Sequence, residues 1–341
     1  MREKEIIGNT NVEVSIVIPA YNSENTLWDT LNSLLAQNYP KDKYEIIVVD
    51  DGSTDSTYHI ANQFKMRYKN NIRIRVFTKN ENQGKGSAQN FGVNVSNGNY
   101  ILTIDSDSIA PPNWIQTMVS SLKTCDVVSG VYYAYNPSNI IEKMQNALFI
   151  SKFKYSKNPM VIAGTNFGFK KSVFYEIGGF NEKTPSTTFD FVIRAKQKGF
   201  KFCVNKDSYV YTRVHNNLIS LIVQLLRWRE NPLKLYFYER KIQHLVPFIF
   251  NFTMSLILPL SIIFGILHDT TMLLVGLLIL LIGTSLQHLP KFCRLLVNSE
   301  YYWGAYLLIY ILFEAFIMKP LYLPYWVYRI LRPRHTGSFR R

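Results

Sequence analysis

The chain has 341 residues, of which 47% are hydrophobic and 14% aromatic, so there is room for a sizeable core and disorder is excluded. The formal net charge of +14 is compatible with nucleic acid, an anionic membrane surface or an anionic substrate, but no nucleic-acid-binding motif occurs and the C-terminal third is apolar. Membrane lipids are therefore an expected partner and nucleic acid is not. Cys125, Cys203 and Cys293 are far apart, which predicts neither a disulfide framework nor a zinc site. The charged segment 1–10 lacks the apolar stretch of a cleaved signal peptide.

Strands and helices alternate over the first part of the chain. Apolar runs predict buried strands over Val12–Ala20, Tyr44–Val49 and Ile72–Thr78. Helical periodicity extends from Ser23 to Asn38, and a further helix starts at Gly84. This alternation predicts an α/β fold with a mostly parallel sheet, whose loops gather at one edge.

The segment Tyr100–Ile104 reads as another buried strand, and it ends in Asp105-Ser106-Asp107. Open α/β sheets bind ligands at the carboxyl ends of their strands, and two carboxylates there suit a divalent cation that in turn holds phosphate oxygens. We therefore expect a metal–diphosphate site. The alternative is a polar strand end whose carboxylates cap the next helix.

Four motifs in sequence resemble those of the family 2 glycosyltransferases. They are Pro19-Ala20-Tyr21-Asn22 at a strand end, Asp50-Asp51-Gly52-Ser53-Thr54-Asp55, Gly84-Lys85-Gly86 ahead of Asn90-Phe91-Gly92, and Asp105-Ser106-Asp107. The resemblance extends over roughly Glu13 to Trp228. It implies a nucleotide-diphospho-sugar transferase domain of the A-type, Rossmann-like fold, and a reaction that inverts the sugar's anomeric configuration.

The resemblance also implies a donor site. Lys85 would neutralise the diphosphate and Asp107 would ligate Mg²⁺ or Mn²⁺, so that charge developing on the leaving group is stabilised. For Lys85 the alternative is an ordinary exposed lysine. The other implied donor contacts are the base-pocket residues Pro19, Ala20 and Tyr21, the base- or ribose-binding Asp51 and the nucleoside-binding Asp105.

On the acceptor side, the run Gly164-Thr165-Asn166-Phe167-Gly168-Phe169 is similar to a strand of the family, so Gly164 and Thr165 are implied to face the acceptor. Gly178-Gly179 follows within a segment close to the family's glycine-rich signature, where small residues let an acceptor approach the backbone. The alternative for this pair is a simple turn.

The chain departs from the family where the general base is expected. The family pattern is Glu-Asp-x-Asp-Leu with an arginine four residues after the second aspartate, whereas this chain has Thr187-Thr188-Phe189-Asp190-Phe191 with Arg194. Thr188 occupies the position of the base, and its hydroxyl cannot accept a proton at neutral pH. Asp190 is then either the base or the ion-pair partner of Arg194. A lipid phosphate acceptor would need no strong base, because its oxygen is already deprotonated.

A predicted strand, Lys201–Thr212, precedes a long helix that carries Gln224-Leu225-Leu226-Arg227-Trp228. This run resembles the Gln-x-x-Arg-Trp motif of membrane-embedded members, including processive polysaccharide synthases. The resemblance implies that Arg227 contacts diphosphate and that Trp228 offers a flat face to the acceptor, which makes both candidate catalytic residues beside Asp190. An amphipathic helix with arginine and tryptophan at head-group depth is the alternative, and both can hold together.

Two apolar stretches, Leu245–Leu267 and Met272–Leu289, are long enough to span a bilayer. A third contains Glu314 and is followed by Lys319, which would be costly against lipid. We therefore expect the segment from Trp303 to Ile330 to lie along the interface or to re-enter, with the basic tail on the cytoplasmic side.

These observations predict three regions: a catalytic domain over 1–215, interfacial helices over 216–244 and a membrane domain over 245–341. The predicted activity is metal-dependent, inverting transfer from a UDP- or GDP-sugar to a polyprenyl phosphate or a lipid-linked glycan. The enzyme would be held in the cell membrane by a hairpin or by several spans, with its catalytic domain in the cytoplasm. Two alternatives stay open: a processive polysaccharide synthase, and a catalytically silent nucleotide-sugar-binding scaffold, the latter because of Thr188.

Overall fold

The computed structural model describes residues 11–154, 162–184, 186–228, 246–267, 270–298, 301–321 and 324. These residues form two compact units. Unit 1 contains the described residues up to 132 and from 162 to 213, and unit 2 contains those from 133 to 154 and from 214 onwards. The chain therefore leaves unit 1 and returns to it before it enters unit 2 for the second time.

Unit 1 is built on one eight-stranded sheet with the strand order β3-β2-β1-β4-β7-β6-β8-β5. The strands are β1 Val14–Ala20, β2 Tyr44–Asp50, β3 Arg73–Thr78, β4 Tyr100–Ile104, β5 Ser108–Ile109, β6 Val127–Ala134, β7 Asn166–Lys170 and β8 Phe202–Thr212. The first four in the strand order pair in parallel, whereas β4 with β7, β6 with β7 and β5 with β8 are antiparallel. The predicted A-type transferase fold is confirmed, and the sheet is mixed, with parallel strands confined to one half.

The helices, numbered along the chain through both units, alternate with these strands in unit 1. They are α1 Leu27–Leu35, α2 Thr57–Tyr68, α3 Lys85–Val95, α4 Trp114–Leu122, α5 Ile140–Phe149, α6 Lys171–Ile177, α7 Thr187–Gln197, α8 Leu218–Trp228, α9 Val246–Leu267, α10 Thr270–Val297 and α11 Tyr301–Phe313. Two π-helical turns, Ile150–Lys154 and Glu314–Met318, follow α5 and α11 directly.

Strands β1, β2 and β4 of the parallel half are buried on both faces, as expected from their uninterrupted apolar runs, whereas β3 at the sheet edge is partly exposed. All seven residues of β2 are buried. In the antiparallel half of the sheet, an aromatic cluster packs α6 and α7 against β7. The ring centroid of Phe191 lies 4.7 Å from those of Phe169 and Phe180. This packing fixes where the first turn of α7 lies, and with it the position of Thr188 and Asp190.

The expectation that the cysteines form no disulfide is wrong. Cys125, just before β6, and Cys203 in β8 are joined in a disulfide with their Cα atoms 6.2 Å apart. Strands β6 and β8 are neighbours in the sheet, and the N–H groups of Asp126 and Val127 donate to the carbonyl of Lys201. The pairing thus follows from strand order, which a separation of 78 residues does not reveal.

Unit 2 contains α5, α8, α9, α10 and α11, and one apolar cluster joins α5, α8, α10 and α11. Asn217 caps α8, because its Oδ1 accepts the N–H of Ser220 at 2.9 Å. Helices α5 and α8 supply Met144, Leu148, Leu221 and Leu225 to this cluster, where they meet residues of α10 and α11. Helix α5 therefore belongs with the apolar C-terminal helices and not with the sheet.

Within the described residues, two helical segments are long and apolar enough to cross a membrane, Leu273–Cys293 and Tyr302–Leu321. The stretch predicted from Leu245 to Leu267 forms α9, which contains the shorter apolar segment Ile249–Ile263. The prediction that the third stretch does not cross stays a prediction, and its last part, with the basic tail, lies outside the described residues.

Candidate functional site

The predicted donor residues lie at the edge of the sheet where its parallel strands end. Asp51 directly follows β2, Asp105 follows β4 and Tyr21 follows β1. The register pairs Ala20 with Asp50, so these strand ends lie at one level. The edge predicted to bind a ligand is therefore formed as expected.

Hydrogen bonds join the loops along this edge into one rim. Asn22 adopts a φ of 49°, and its N–H donates to Ser53 Oγ at 2.9 Å while its Oδ1 accepts the N–H of Thr54 at 2.9 Å. The hydroxyls of Ser23 and Ser106 lie 2.7 Å apart and are buried. The loop after β1 is thus tied to those after β2 and β4.

The carboxylate of Asp51 is buried and anchors the loop ahead of α3. Its Oδ1 lies 2.7 Å from Nζ of Lys79, and its Oδ2 accepts the N–H of Gly84 at 2.6 Å. Lys79 also donates to Ser87 Oγ at 2.8 Å. Sequence reasoning missed Lys79, although its place directly after β3, the remaining parallel strand, was a usable signal.

Lys85 begins α3 behind Gly84, whose φ of 95° favours glycine. Its Nζ contacts Oδ1 of Asp105 and donates to the carbonyl of Gly164 at 3.2 Å. The Lys85 and Asp105 side chains are both partly exposed. The structure therefore brings three of the predicted residues together, and the amino end of α3 adds backbone N–H groups that can face an anion.

Asp107 lies two residues beyond Asp105, immediately before β5. Its carbonyl accepts the N–H of Arg213 at 3.1 Å, and its Oδ1 lies 3.4 Å from the hydroxyls of Ser108 and Thr212. The hydroxyl of Ser108 is in turn 2.7 Å from that of Thr165. A row of hydroxyls thus links the predicted acceptor residue to the predicted metal ligand.

Thr188, which stands where the family has its base, lies beside Gly164, and so does the ammonium of Lys85. A Cβ atom built on Gly164 would lie 3.3 Å from Thr188 Oγ1 and 4.0 Å from Lys85 Nζ. A side chain at this position would crowd Thr188. The position is thus part of the site, but the group that occupies it is a hydroxyl.

Asp190 is buried and paired with Arg194. Arg194 Nε lies 2.7 Å from Oδ2 of Asp190, and the guanidinium also donates to the carbonyls of Ile177 and Gly179, each at 2.7 Å. This arrangement holds the turn after α6 against α7. It is the geometry expected of the ion-pair alternative for Asp190.

Tyr132, near the end of β6, was not singled out from the sequence. Burial raises the pKa of its phenol, and the negative charge of Asp105 contributes. The phenol therefore keeps its proton beside the Asp105 carboxylate. A tyrosine inside a predicted strand gives no sequence signal for such a place, because strands are rich in aromatic residues.

The remaining predicted residues are less informative. Pro19 and Ala20 end β1, and Tyr21 is partly buried beyond it. Arg227 and Trp228 lie in the last turn of α8, but their side chains lie outside the described residues. Their roles stay predictions.

The donor set fits a cation that is shared with a substrate. Among the described residues no group of three or more histidine, cysteine or acidic side chains could enclose a metal by itself. Mg²⁺ is commonly bound by one or two carboxylates together with substrate phosphates. Asp107, partly exposed at the rim and flanked by hydroxyls, fits that arrangement.

Comparison with known proteins agrees with this geometry. The family described as "Glycosyl transferase family group 2" matches residues 100–330, and "Glycosyl transferase family 2" matches residues 15–178. The first match covers more than half of the chain. The chain therefore belongs to the family 2 glycosyltransferases.

Similar proteins include the glycosyltransferase AglE of Haloferax volcanii, 32% identical over 171 residues, with 49% of this chain and 55% of that protein aligned. The poly-β-1,6-N-acetyl-D-glucosamine synthase of Staphylococcus aureus is 28% identical over 229 residues, covering 64% and 54%. The chain spans about half the length of these curated relatives. The mannosyltransferase PcManGT of Pyrobaculum calidifontis, solved with GDP-Man and Mn²⁺, shares the fold with a TM-score of 0.61 at 16% identity, over 95% of this chain and 88% of that one.

Proposed function

We propose that this glycosyltransferase transfers a sugar, with inversion, from a UDP- or GDP-sugar to a membrane-associated acceptor. The observation that carries the proposal is the contact between Lys85 and Asp105, with Asp107 two residues further on, at the end of a parallel strand and beside the amino end of α3. The GDP-Man complex of PcManGT supports this class of donor. We further propose that unit 2 anchors the protein in the cell membrane and that unit 1 faces the cytoplasm, where nucleotide sugars are made.

Lys85 is the residue that would respond to the donor. Its ammonium is partly exposed and held by a single carboxylate and one carbonyl, so an incoming diphosphate can compete for it. Once bound to the diphosphate, it would stabilise the charge that develops as the glycosidic bond breaks. Asp107 would hold Mg²⁺ or Mn²⁺, and this cation would supply Lewis-acid stabilisation of the same leaving group.

The preferred acceptor is a polyprenyl phosphate, with a lipid-linked glycan as the other possibility. Thr188 stands at the base position and Asp190 is held in an ion pair with Arg194. Both features favour an acceptor whose attacking oxygen is already ionised, because such an oxygen needs no proton acceptor.

The test uses the full chain in lipid nanodiscs with labelled UDP- and GDP-sugars, Mn²⁺ or Mg²⁺, and polyprenyl phosphate. We expect release of nucleoside diphosphate together with labelled lipid, and loss of both in EDTA. Full transfer in EDTA would contradict the metal assignment. Transfer only to a glycan would contradict the phosphate acceptor but not the donor site.

Thr188→Asp tests the acceptor separately. With a phosphate acceptor, the new carboxylate would repel the substrate and lower the rate. With a hydroxyl acceptor, it would provide the missing base and raise the rate. Thr187→Asp is the control, because it adds the same charge at the adjacent residue, which contacts Gln89 instead of Gly164.

Two other functions make different predictions. A processive polysaccharide synthase is favoured by the Gln224–Trp228 motif and by the similarity to the S. aureus synthase, and it would yield products of increasing length. A silent scaffold, suggested by Thr188, would bind a nucleotide sugar without releasing nucleoside diphosphate. Chain-length analysis and nucleotide release in the same assay distinguish all three.

A further inference from the structure

A cluster of ionisable and amide side chains lies inside unit 2, where three helices meet. His288 Nε2, on α10, lies 2.8 Å from Oε2 of Glu314, in the π-helical turn after α11. Lys319 Nζ lies 2.6 Å from Oε1 of Gln287 and also donates to Oδ1 of Asn251 on α9. Lys319 and Glu314 are buried, with Nζ and Oε1 3.9 Å apart. The turn that carries Glu314 is notable because π-helical turns are frequent at functional sites.

Lys291 extends this cluster towards the surface of unit 2. Its Nζ lies 2.9 Å from Nδ1 of His288, and since an ammonium can only donate, the imidazole accepts at Nδ1 and donates to Glu314 through Nε2. Lys291 is partly exposed, and Gln287, one turn before it, is exposed. Desolvation lowers the pKa of Lys152 to about 8, and the positive charge of Lys291 adds to this effect. The positive charges of Lys152 and Lys291 therefore lie close to each other.

The cluster lies near one end of the hairpin made by α9 and α10. The two helices are antiparallel, because Gly276 packs against Ser261 and Gly283 against Met254. Asn251 follows the start of α9 at Val246 by five residues, or about 8 Å along the helix. If the hairpin spans the bilayer, the cluster lies close to the head groups and not in the middle of the roughly 30 Å hydrocarbon core.

Exposed polar groups on an apolar helix need a partner at this depth, because lipid chains cannot hydrogen-bond to them. Ammonium and amide N–H groups bind phosphate oxygens well, and basic pockets between membrane helices suit anionic head groups. We propose that the exposed side of this cluster, at Lys291 and Gln287, binds the phosphate head group of a membrane lipid. The proposal rests on the proposed insertion of unit 2 in the membrane.

A phosphate monoester is the expected head group. It carries a charge of about −1.5 to −2 at neutral pH and three acceptor oxygens, which suits several ammonium groups better than a diester does. A polyprenyl phosphate carries the same group, so the cluster would give the proposed acceptor a binding place in unit 2. Binding can nevertheless be measured without any nucleotide sugar, so that failure of the transfer reaction and failure of this site are separate results.

The test is equilibrium binding of fluorescent phosphatidic acid to the full chain in phosphatidylcholine nanodiscs. We expect Lys291→Gln to weaken binding about tenfold or more, because a charge-assisted hydrogen bond is lost. Lys291→Arg should retain binding. Lys143→Gln is the matched control, since Lys143 is also a partly exposed lysine of unit 2, but one that lies against Tyr306.

Two results would overturn the proposal. If Lys291→Gln binds phosphatidic acid as tightly as the unaltered chain, the cluster is only an ion-pair network between helices. If inorganic phosphate displaces the lipid at equal concentration, the site recognises free phosphate and not a lipid. Helical circular dichroism checks that the variant folds, and should it not, the exposed Gln287→Leu is tested in its place with the same expected loss and the same overturning results.

Discussion

Each unit of this protein sets a lysine beside a carboxylate, and the two pairs differ in their contact with solvent. In unit 1, the side chains of Lys85 and Asp105 are 34% and 27% exposed. In unit 2, those of Lys319 and Glu314 are 0% and 3% exposed. An exposed pair contributes little to stability and can exchange partners, whereas breaking a buried pair leaves a charge without solvent. The first pair therefore suits a site that must accept an anionic substrate, and the second suits the packing of helices.

The largest effect is expected next to the exposed pair. Asp107→Asn removes one negative charge from the proposed metal site without a change in volume, so transfer should fall below detection while the fold is retained. Transfer in the nanodisc assay and thermal unfolding of the same preparation measure the two quantities. Asp126→Asn is the control, because Asp126 pairs with Lys170 away from the rim. Activity equal to that of the control would remove Asp107 from the site.

Breaking the buried pair should act on stability. Lys319→Met removes the positive charge beside the buried Glu314 carboxylate, and we expect unit 2 to lose about 3 kcal/mol of unfolding free energy. Unfolding followed by circular dichroism in detergent measures this loss. Nucleotide binding by unit 1 should be unchanged. A loss no larger than that of Lys143→Met would mean that the buried pair contributes no more to stability than a partly exposed lysine does.

Lys85→Met should show the opposite behaviour. Transfer should fall about a hundredfold, because a charge that stabilises the leaving group is missing, while stability should change by less than about 1 kcal/mol. Lys170→Met is a closely matched control, since Lys170 and Asp126 are 35% and 28% exposed and pair at 2.9 Å. If both variants retain full transfer, Lys85 is an ordinary surface lysine.

The smallest effect is expected at the pair that is intermediate between these two. Asp190→Asn removes the partner of Arg194 in a largely buried place, and stability should fall by about 1.5 kcal/mol with turnover per folded molecule unchanged. Turnover is measured at saturating donor and divided by the folded fraction. A drop of about a hundredfold with unchanged donor affinity would instead make Asp190 the base.

Residues at the ends of parallel strands could be predicted because their position depends on the pattern of apolar and polar residues close by in the sequence. Asp51, Lys85, Asp105 and Asp107 each follow a buried strand or begin a helix, and the alternation of strands and helices requires their loops to meet at one edge. The antiparallel half of the sheet was not predicted. Its strands are separated by long segments, and nothing local tells which strand becomes the neighbour of β4.

The sequence by itself determined the family, the fold class and the apolar helices, and it predicted which strand ends meet at one edge, because each of these depends on residues that are close together in the chain. Only the tertiary structure paired Cys125 with Cys203, set Lys79 on Asp51, and buried Glu314 and Lys319 against each other. Those contacts join residues that are distant in sequence, and whether a charge meets lipid, water or an opposite charge depends on which elements pack beside it. For this reason Glu314 and Lys319, which seemed too costly for a membrane helix, have partners inside unit 2.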